Sequence, residues 1–492
     1  MGVCCDKSAE SEVGTNPGGR PKREPAISIS SDDPGLSSVD AVMTRQRKMS
    51  TAQRQAQADH VLSFKQYTSF KQVERFQDLY SVKKELGAGA FGSVKLGKHR
   101  KADTPVAIKF IKKSSLMVAD VYQELMKNEL EVLENTIHPN ITRVYELMED
   151  KRNYYIIMEL ISGGNLLDQV YKLKKFSEQQ AARIIKQLLL ALNYMHAKNI
   201  THRDLKPENL LTELSDDGEI LIKLTDFGFA TYFKGDEKLT LSLGSPLYMA
   251  PELCEEREYD NRVDVWSTGV ITYILLSGMP PFSGQTKEQI YDRISRADPR
   301  YDRLGGVSDE GVSFIQRCLT KDFNDRATIP ELLEDPWIAT HAAGEALASE
   351  RMLDISANLA SFRKATTFQS GVISFISHMQ TSSSQLTELK EMFKTLDKNN
   401  DGSISLEELE EGMSDIVALF NLDEPDVREM LAAADADKNG TIDYGEFIAA
   451  AFDRDILLSQ KNLEVAFKIF DTDGNGVITK EELKGVFGNG TG

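Results

Sequence analysis

The stretch Thr201-His-Arg-Asp204-Leu-Lys206-Pro-Glu-Asn209 sets a carboxylate, a lysine and a carboxamide close together in the chain. Asp226-Phe-Gly228 starts 22 residues after Asp204, and Ala250-Pro-Glu252 starts 24 residues after Asp226. Carboxylate and amide oxygens are the ligands that Mg²⁺ prefers, and a carboxylate in a cleft can also accept a proton. The three motifs therefore indicate a site that holds a cation and accepts a proton.

A glycine-rich segment lies upstream of these motifs, Gly87-Ala-Gly89-Ala-Phe-Gly92-Ser-Val94. Glycines let a backbone lie close to phosphates, although they also simply form turns. Dinucleotide binding needs a helix directly after the glycines, whereas residues 94–96 and 106–111 have the β-branched composition of strands. A β-hairpin that covers a nucleotide therefore fits this segment better.

Lys109 ends the apolar run Val106-Ala-Ile-Lys109. A buried ammonium group is costly unless it is paired, and Glu129 in the helical segment 127–133 is the candidate partner. Glu131 competes with Glu129 on spacing alone, and a solvated surface lysine is the alternative interpretation.

Together these residues predict phosphoryl transfer from ATP. The reaction needs cations held against the phosphates, a group that accepts the hydroxyl proton and a fixed lysine on the α- and β-phosphates. Asn209 and Asp226 supply oxygen ligands for Mg²⁺, Asp204 accepts the proton, and Lys109 binds the phosphates.

The order of predicted elements gives the fold class. Short β-branched segments come first, and longer helical patterns, such as residues 179–196 and 263–277, dominate afterwards. A small sheet-rich lobe followed by a larger helical lobe is an α+β arrangement.

The segment 80–338 resembles a protein kinase domain, and this resemblance implies a bilobal fold and further site residues. Catalysis would involve Asp204, Lys206, Lys109 and Glu129. ATP would contact Leu86, Gly87, Gly89, Gly92, Val94, Ala107, Lys109, Met158, Glu159, Ile161, Glu208, Asn209, Leu211 and Asp226. Asp264 and a Glu252–Arg326 pair would support the structure.

Lys206 and Ser245 favour a serine/threonine kinase over a tyrosine kinase. Related kinases often carry an acidic residue at the position of Asn165, where it helps to recognise basic substrates, although Glu208 remains. Thr231, Thr240 and Ser242 are candidate phosphorylation sites. The acidic pair at residues 236–237 could pair with Arg203 or form a solvated turn.

Three segments in the C-terminal part match the twelve-residue EF-hand calcium loop at every defined position. Alternate positions of such a loop supply oxygen ligands, its sixth-position glycine makes the turn, and its last glutamate binds bidentately. The ligand positions are Asp397, Asn399, Asp401, Ser403, Ser405 and Glu408; Asp435, Asp437, Asn439, Thr441, Asp443 and Glu446; and Asp471, Asp473, Asn475, Val477, Thr479 and Glu482. Ile404, Ile442 and Ile478 lie where paired loops join.

The second loop has four carboxylate ligands and the others have three each, so we expect the second loop to bind calcium most tightly. EF-hands normally pair, and the spacing places a fourth loop near residue 506, beyond the last residue, 492. Either the chain is a shortened form, or the third hand is unpaired or pairs between molecules.

A kinase domain, a junction and an all-α EF-hand module in one chain resemble the calcium-dependent protein kinases of plants and protists. The resemblance implies that the junction, residues 339–385, blocks the kinase at resting calcium and that the EF-hand module, residues 386–492, captures it when calcium rises. A passive linker helix is the alternative. The remaining segments are a disordered tail, 1–50, and an extension with a short helix, 51–79.

Charge and composition limit the partners and the location. The net charge is −18 at pH 7, and residues 386–492 carry 24 acidic and 10 basic residues. This argues against nucleic acid as a partner and leaves protein substrates and cations. Four cysteines and no apolar run of transmembrane length indicate a cytoplasmic protein.

The N-terminus contains Gly2, Cys4 and Cys5, a pattern that suggests myristoylation with palmitoylation and thus a membrane surface as partner. Asp6 stands where serine or threonine is preferred, and a disordered tail with two thiols is the alternative.

Overall fold

The computed structural model describes residues 71–89, 92–116, 120–215, 218–233, 238–342, 355, 358–359, 384–412, 424–453, 458–471, 475–479 and 482. The predictions for Gly2, Cys4, Cys5, the acidic pair 236–237 and Asp473 lie outside the described residues, as does most of the junction.

The N-terminal lobe is built on a six-stranded sheet in the order β1-β5-β6-β4-β3-β2, antiparallel except for the β1–β5 pair. Its strands are β1 Lys71–Gln72, β2 Tyr80–Gly89, β3 Gly92–His99, β4 Pro105–Lys112, β5 Val144–Glu149 and β6 Asn153–Met158. Helices α1 Lys113–Leu116 and α2 Asp120–Glu134 follow β4.

The period-two alternation of β4 separates two cores. Val106 and Ile108 pack with Phe76 on one face of the sheet, whereas Ala107 and Ile111 belong to the large core that continues into the C-terminal lobe. Lys109 shares the second face, so the strand directs its side chain toward α2 and the cleft.

The C-terminal lobe is helical, with two short hairpin-like pairs near the cleft. Its helices are α3 Leu166–Leu173, α4 Glu178–Ala197, α5 Pro251–Cys254, α6 Arg262–Ser277, α7 Lys287–Arg296, α8 Asp309–Cys318, α9 Ile329–Leu333 and α10 Pro336–His341. Strand β7 Ile200–Thr201 pairs with β10 Thr231–Tyr232, and β8 Leu210–Leu214 pairs with β9 Ile220–Leu224.

Two helices form the centre of this lobe. Helix α4 begins where Ser177 accepts a hydrogen bond from the Gln180 amide, a capping box. Helix α6 is buried on all sides from Val263 to Leu276, which makes it the central helix of this lobe.

The EF-hand module has its own core. Helices α11 Ser384–Leu396 and α12 Leu406–Gly412 flank the first loop, α13 Glu424–Ala434 and α14 Tyr444–Ala451 flank the second, and α15 Gln460–Phe470 precedes the third. Strands β11 Ser403–Ile404 and β12 Ile442–Asp443 join the first two loops, with Ile404 opposite Ile442 as predicted. Ile478 is partly buried against the same core.

One expected helix is not found in the part of the extension that is described. Residues 71–79 contain β1 and one turn of 3-10 helix, Phe76–Asp78, instead of an α-helix, because Phe76 turns inward to stack on Tyr80 and Tyr155. Among the described residues, none of the helices combines the length and hydropathy that crossing a bilayer requires.

Candidate active site and calcium loops

Asp204 lies in the loop between β7 and β8 and is 5% exposed. Its Oδ1 accepts hydrogen bonds from the Ser245 amide at 2.9 Å and hydroxyl at 2.8 Å, and Lys206 Nζ lies 2.8 Å from Oδ2. Lys206 Nζ also donates to Ser245 Oγ at 3.0 Å. Lys206 and Ser245 therefore orient the Asp204 carboxylate.

Lys109 lies between two carboxylates. Its Nζ is 2.5 Å from Glu129 Oε1 and 3.0 Å from Asp226 Oδ1, so α2 presents Glu129 and not Glu131 to it. Burial opposes the charged form, but Asp226 and Glu129 outweigh burial and raise the pKa of Lys109. Burial alone would raise the pKa of Asp226, yet the Lys109 ammonium holds it below its usual value. Both groups therefore stay charged.

Two residues of the site have a left-handed backbone, Arg203 with φ 69° and Asp226 with φ 61°. Such conformations are costly for non-glycine residues and need support from the surroundings. The fully buried Asp264 accepts from the amides of His202 and Arg203, both at 2.9 Å. Asn209 Nδ2 donates to the Asp204 carbonyl at 2.9 Å. The Asp264 bonds support the left-handed backbone of Arg203, and the Asn209 bond uses the amide nitrogen of Asn209 and not its amide oxygen.

Most of the nucleotide-binding residues predicted from sequence lie on β2, β3, β4, β6 and β8. Val94 faces Lys109 across the β3–β4 pair, and Ala107 faces Met158 across the β4–β6 pair. Gly92 is required by close packing, because an added Cβ would lie 1.8 Å from the Phe110 carbonyl oxygen. Leu86 is 43% exposed at the edge of the sheet.

The side chain of Glu159, unlike the other residues predicted to contact ATP, is bound by groups outside the nucleotide site. Its amide donates to the Arg143 carbonyl, but its carboxylate accepts from the Arg143 amide at 2.7 Å and from Lys223 Nζ at 2.9 Å. The side chain therefore lies behind the hinge, the segment 159–161 that joins the two lobes, and only the carbonyl of Glu159 remains for a nucleotide.

The predicted phosphorylation sites lie in the activation loop, residues 226–252, and have mixed surroundings. Thr231 Oγ1 accepts from Asn128 at 3.2 Å, and Ser242 Oγ donates to the Leu253 carbonyl at 2.7 Å, whereas Thr240 is exposed. Arg203 donates to the Phe229 carbonyl at 2.5 Å. Among the predicted phosphorylation sites, Thr240 is thus the most accessible.

Two further predictions concern the Glu252–Arg326 pair, which supports the structure, and Asn165, at a position that affects substrate specificity in related kinases. Arg326 and Glu252 form a buried two-point ion pair at 2.7 and 3.0 Å. Asn165 caps α3, accepting from the Asp168 amide at 3.0 Å while Asp168 accepts from the Asn165 amide. A capping role accounts for asparagine at a position where related kinases often have an acid.

The calcium loops present the predicted donors. In the second loop, oxygens of Asp435, Asp437 and Glu446 lie within 4.8 Å of one another. Hard oxygen donors at this spacing fit Ca²⁺. In the first loop Glu408 accepts from the amides of Lys398 and Asn399, which folds the twelfth residue back over the loop.

Burial perturbs two of these carboxylates. Burial raises the pKa of Asp397 to about 7, with nearby Asp401 and Glu408 adding to the effect. Burial, with Asp443 adding to it, raises the pKa of Glu446 to about 7. Protons and calcium therefore compete for these groups near neutral pH.

The EF-hand module contacts the kinase domain through groups that sequence inspection did not single out. Asn193 Nδ2 donates to the Asn400 carbonyl at 2.7 Å, and Gly402 packs against the ring of Tyr194. Lys101 Nζ, after β3, donates to the Asp471 carbonyl at 2.8 Å. Neutral amides and backbone carbonyls carry no sequence signal for such long-range pairing.

A family model for the protein kinase domain matches residues 80–338, and one for an EF-hand domain pair matches residues 386–452 and 435–488. The bilobal fold, the Asp204–Lys109–Asp226 geometry and these matches define a protein kinase joined to a calcium-binding module.

The chain belongs to the calcium-dependent protein kinase family. It is 36% identical over 428 residues to calcium-dependent protein kinase 4 of Plasmodium berghei (strain Anka), covering 84% of this chain and 81% of the relative. It is 35% identical to calcium-dependent protein kinase 33 of Arabidopsis thaliana, covering 84% and 78%, respectively. It is thus a calcium-dependent serine/threonine kinase that uses ATP, Mg²⁺ and Ca²⁺.

Proposed function

We propose that the junction, residues 339–385, inhibits the kinase domain at resting calcium and that the EF-hand module relieves inhibition by capturing junction side chains. The observation that carries this proposal is the burial of Ile355 and Leu359, 7% and 2% exposed, in the core of the EF-hand module. Asn358 Nδ2 also donates to the Ala451 carbonyl at 3.3 Å. Calcium-loaded sensor EF-hands expose an apolar groove that accepts an amphipathic helix.

The division of labour at the active site follows from its contacts. Asp204 accepts the proton of the substrate hydroxyl while Lys206 and Ser245 hold its carboxylate in place. Lys109, fixed by Glu129, binds the α- and β-phosphates. Asn209 and Asp226 would hold Mg²⁺, which neutralises charge on the transferring phosphoryl group.

Phosphate transfer to a protein substrate, measured in calcium and in chelator, tests the calcium switch. Asp204→Asn should lower the rate about a hundredfold or more in calcium. An unchanged rate would favour the competing function, a calcium-binding scaffold or buffer whose catalysis is incidental.

Leu359→Glu tests the capture step. A charge in the EF-hand core should raise the calcium concentration needed for activity, because capture then buries an unpaired carboxylate. Leu458→Glu is the matched control, since Leu458 is 37% exposed. Equal effects of the two substitutions would contradict capture of the junction.

A chain that ends after α10 tests inhibition itself. Removing the junction and module should give calcium-independent activity. A shortened chain that keeps the thermal transition of the kinase domain but stays inactive would count against inhibition by the junction.

The order of calcium affinities is a separate proposal. The second loop binds most tightly because it has the largest number of carboxylate ligands. Calorimetry on Glu408→Gln, Glu446→Gln and Glu482→Gln should show the greatest loss for Glu446→Gln, and the smallest loss for that variant would refute the order.

The N-terminal pattern supports a membrane-associated form in the cytoplasm. Gly2 would carry myristate, and Cys4 and Cys5 palmitate, since stable anchoring takes two such signals. Mass spectrometry of the protein purified from its own cells tests this. Gly2→Ala should release the protein from membranes, and an unmodified glycine would refute the proposal.

A further inference from the structure

A pocket lies behind the hinge, between the kinase domain and the EF-hand module. It encloses about 450 Å³ of space, including its open mouth. Arg143, Glu159 and Lys223 of the kinase domain form one wall, and Leu386 and Tyr444 of the EF-hand module form the other. We call it the hinge-back pocket.

The single carboxylate among its lining residues is already engaged. Glu159 Oε1 accepts from Lys223 Nζ at 2.9 Å and from the Arg143 amide at 2.7 Å. Arg143 Nη2 is fully buried, and within the part of the chain that the structure describes it has no hydrogen-bond acceptor. A buried guanidinium nitrogen without an acceptor has lost its hydrogen bonds to water, and no hydrogen bond within the protein offsets that cost.

A further cation adds to the positive charge beside this pocket. Lys390 of α11 is 6% exposed, and the carboxylates near it are Glu391, Glu159 and the half-buried Glu213. Glu391 is paired with Lys394 at 2.8 Å, and Glu159 is paired with Lys223. Burial, with the ammonium groups of Lys394 and Lys223 adding to it, lowers the pKa of Lys390 well below its usual value. The site therefore gains from an added negative charge.

We propose that the hinge-back pocket binds a small, doubly charged oxyanion of the phosphate class, held by the Arg143 guanidinium with Lys223 and Lys390 supplying further positive charge. Arg143 and Lys223 line the pocket and Lys390 lies beside it, whereas Glu159 is the one carboxylate among the described lining residues, so a dianion balances these basic groups better than a single carboxylate ligand does. The planar guanidinium donates in pairs to two oxygens of such a group. The open mouth admits either a free oxyanion or the phosphoryl end of a monoester.

Binding of sulfate to the full chain, in saturating calcium and with a non-hydrolysable ATP analogue in the cleft, tests the proposal. Sulfate replaces phosphate because calcium phosphate is poorly soluble. Calorimetry should detect sulfate binding to the unmodified chain, with no response to chloride at equal ionic strength. A second titration uses O-phosphoserine. If O-phosphoserine competes with sulfate, the site binds phosphate monoesters as well as free oxyanions. If calorimetry detected no sulfate binding to the unmodified chain, the proposal would be overturned before any variant is made.

Arg143→Gln should weaken sulfate binding about tenfold to a hundredfold, the loss expected for a hydrogen bond to a charged group. Arg296→Gln is the matched control, because Arg296 is an exposed arginine on α7. Equal affinities of Arg143→Gln and the control would overturn the assignment. If Arg143→Gln fails to fold, Lys390→Met takes its place, with the same expected direction.

Discussion

The contact between the first calcium loop and α4 can be tested with one methyl group. Gly402 is the sixth residue of its loop, with φ 84°, and a Cβ there would lie 2.1 Å from Tyr194 Cδ2. Gly440 and Gly476 hold the same position in the other loops, with φ 90° and 84°, and a Cβ at either meets nothing within 4 Å. Gly440→Ala and Gly476→Ala are therefore matched controls.

The expected magnitude has two parts. A left-handed backbone costs an alanine about 1–2 kcal/mol, and this part is common to all three loops. Only Gly402→Ala also overpacks a neighbour, which adds about 1–3 kcal/mol. The Tyr194 ring cannot simply swing away, because its hydroxyl accepts from the Ile137 amide at 2.9 Å and donates to the Asn135 carbonyl. The extra cost corresponds to about a 5- to 150-fold change in an equilibrium.

The assay is the calcium concentration that gives half-maximal kinase activity. Gly402→Ala should raise it more than Gly440→Ala or Gly476→Ala, and adding Tyr194→Ala should recover part of the extra loss. Tyr194→Ala combined with Gly440→Ala should be additive, since the two sites share no contact. Equal shifts for the three alanines, with no coupling to Tyr194, would refute docking of the first loop on α4.

Three further outcomes follow from contacts at the active site, in the C-terminal lobe and in the calcium loops. Glu129→Gln should lower kcat at least tenfold while leaving the fold intact, because Asp226 is then the one charged partner of Lys109 among the residues that the structure describes; an unchanged kcat in a steady-state assay would contradict this role. Glu252→Gln should destabilise the kinase domain by about 3–5 kcal/mol, because it leaves the buried Arg326 charge without a carboxylate; a thermal transition unchanged from the native chain would exclude a stabilising pair. Calcium affinity should fall as the pH drops through about 7, since Asp397 and Glu446, with pKa values raised to about 7, become protonated and protons compete with calcium. Because these pKa values lie above the unfolded values, the calcium-free loops should gain stability over the same fall in pH. Calorimetry at several pH values would show no such gain if the carboxylates titrated normally.

Most of the fold could be predicted because its signals are local. The period-two pattern of β4 and the mostly apolar sequence of α6 place each element in its core without reference to the rest of the chain. The join between Ile404 and Ile442 was also predictable, because it depends on a fixed position in each loop. The 3-10 turn at Phe76 was not, since its aromatic partners are distant in sequence.

In the candidate site, too, local sequence predicted some features, whereas others depend on contacts that form only in the folded protein. The chemistry of Lys109 requires a partner, but spacing alone could not choose between Glu129 and Glu131; the rotation of α2 against the sheet makes that choice. Asn165 could be a binding or a capping residue until its bonds to Asp168 are known. Arg143 gave no signal at all, because its surroundings come from two parts of the chain that meet only in the folded protein.

The EF-hand module is hydrogen-bonded to both lobes of the kinase domain. Asn193 belongs to the C-terminal lobe and reaches the first loop, whereas Lys101 belongs to the N-terminal lobe and reaches the start of the third. Rotation of one lobe relative to the other must therefore stretch or break one of these attachments. The module therefore links the two lobes across the hinge, and its two attachments resist twisting of the ATP cleft.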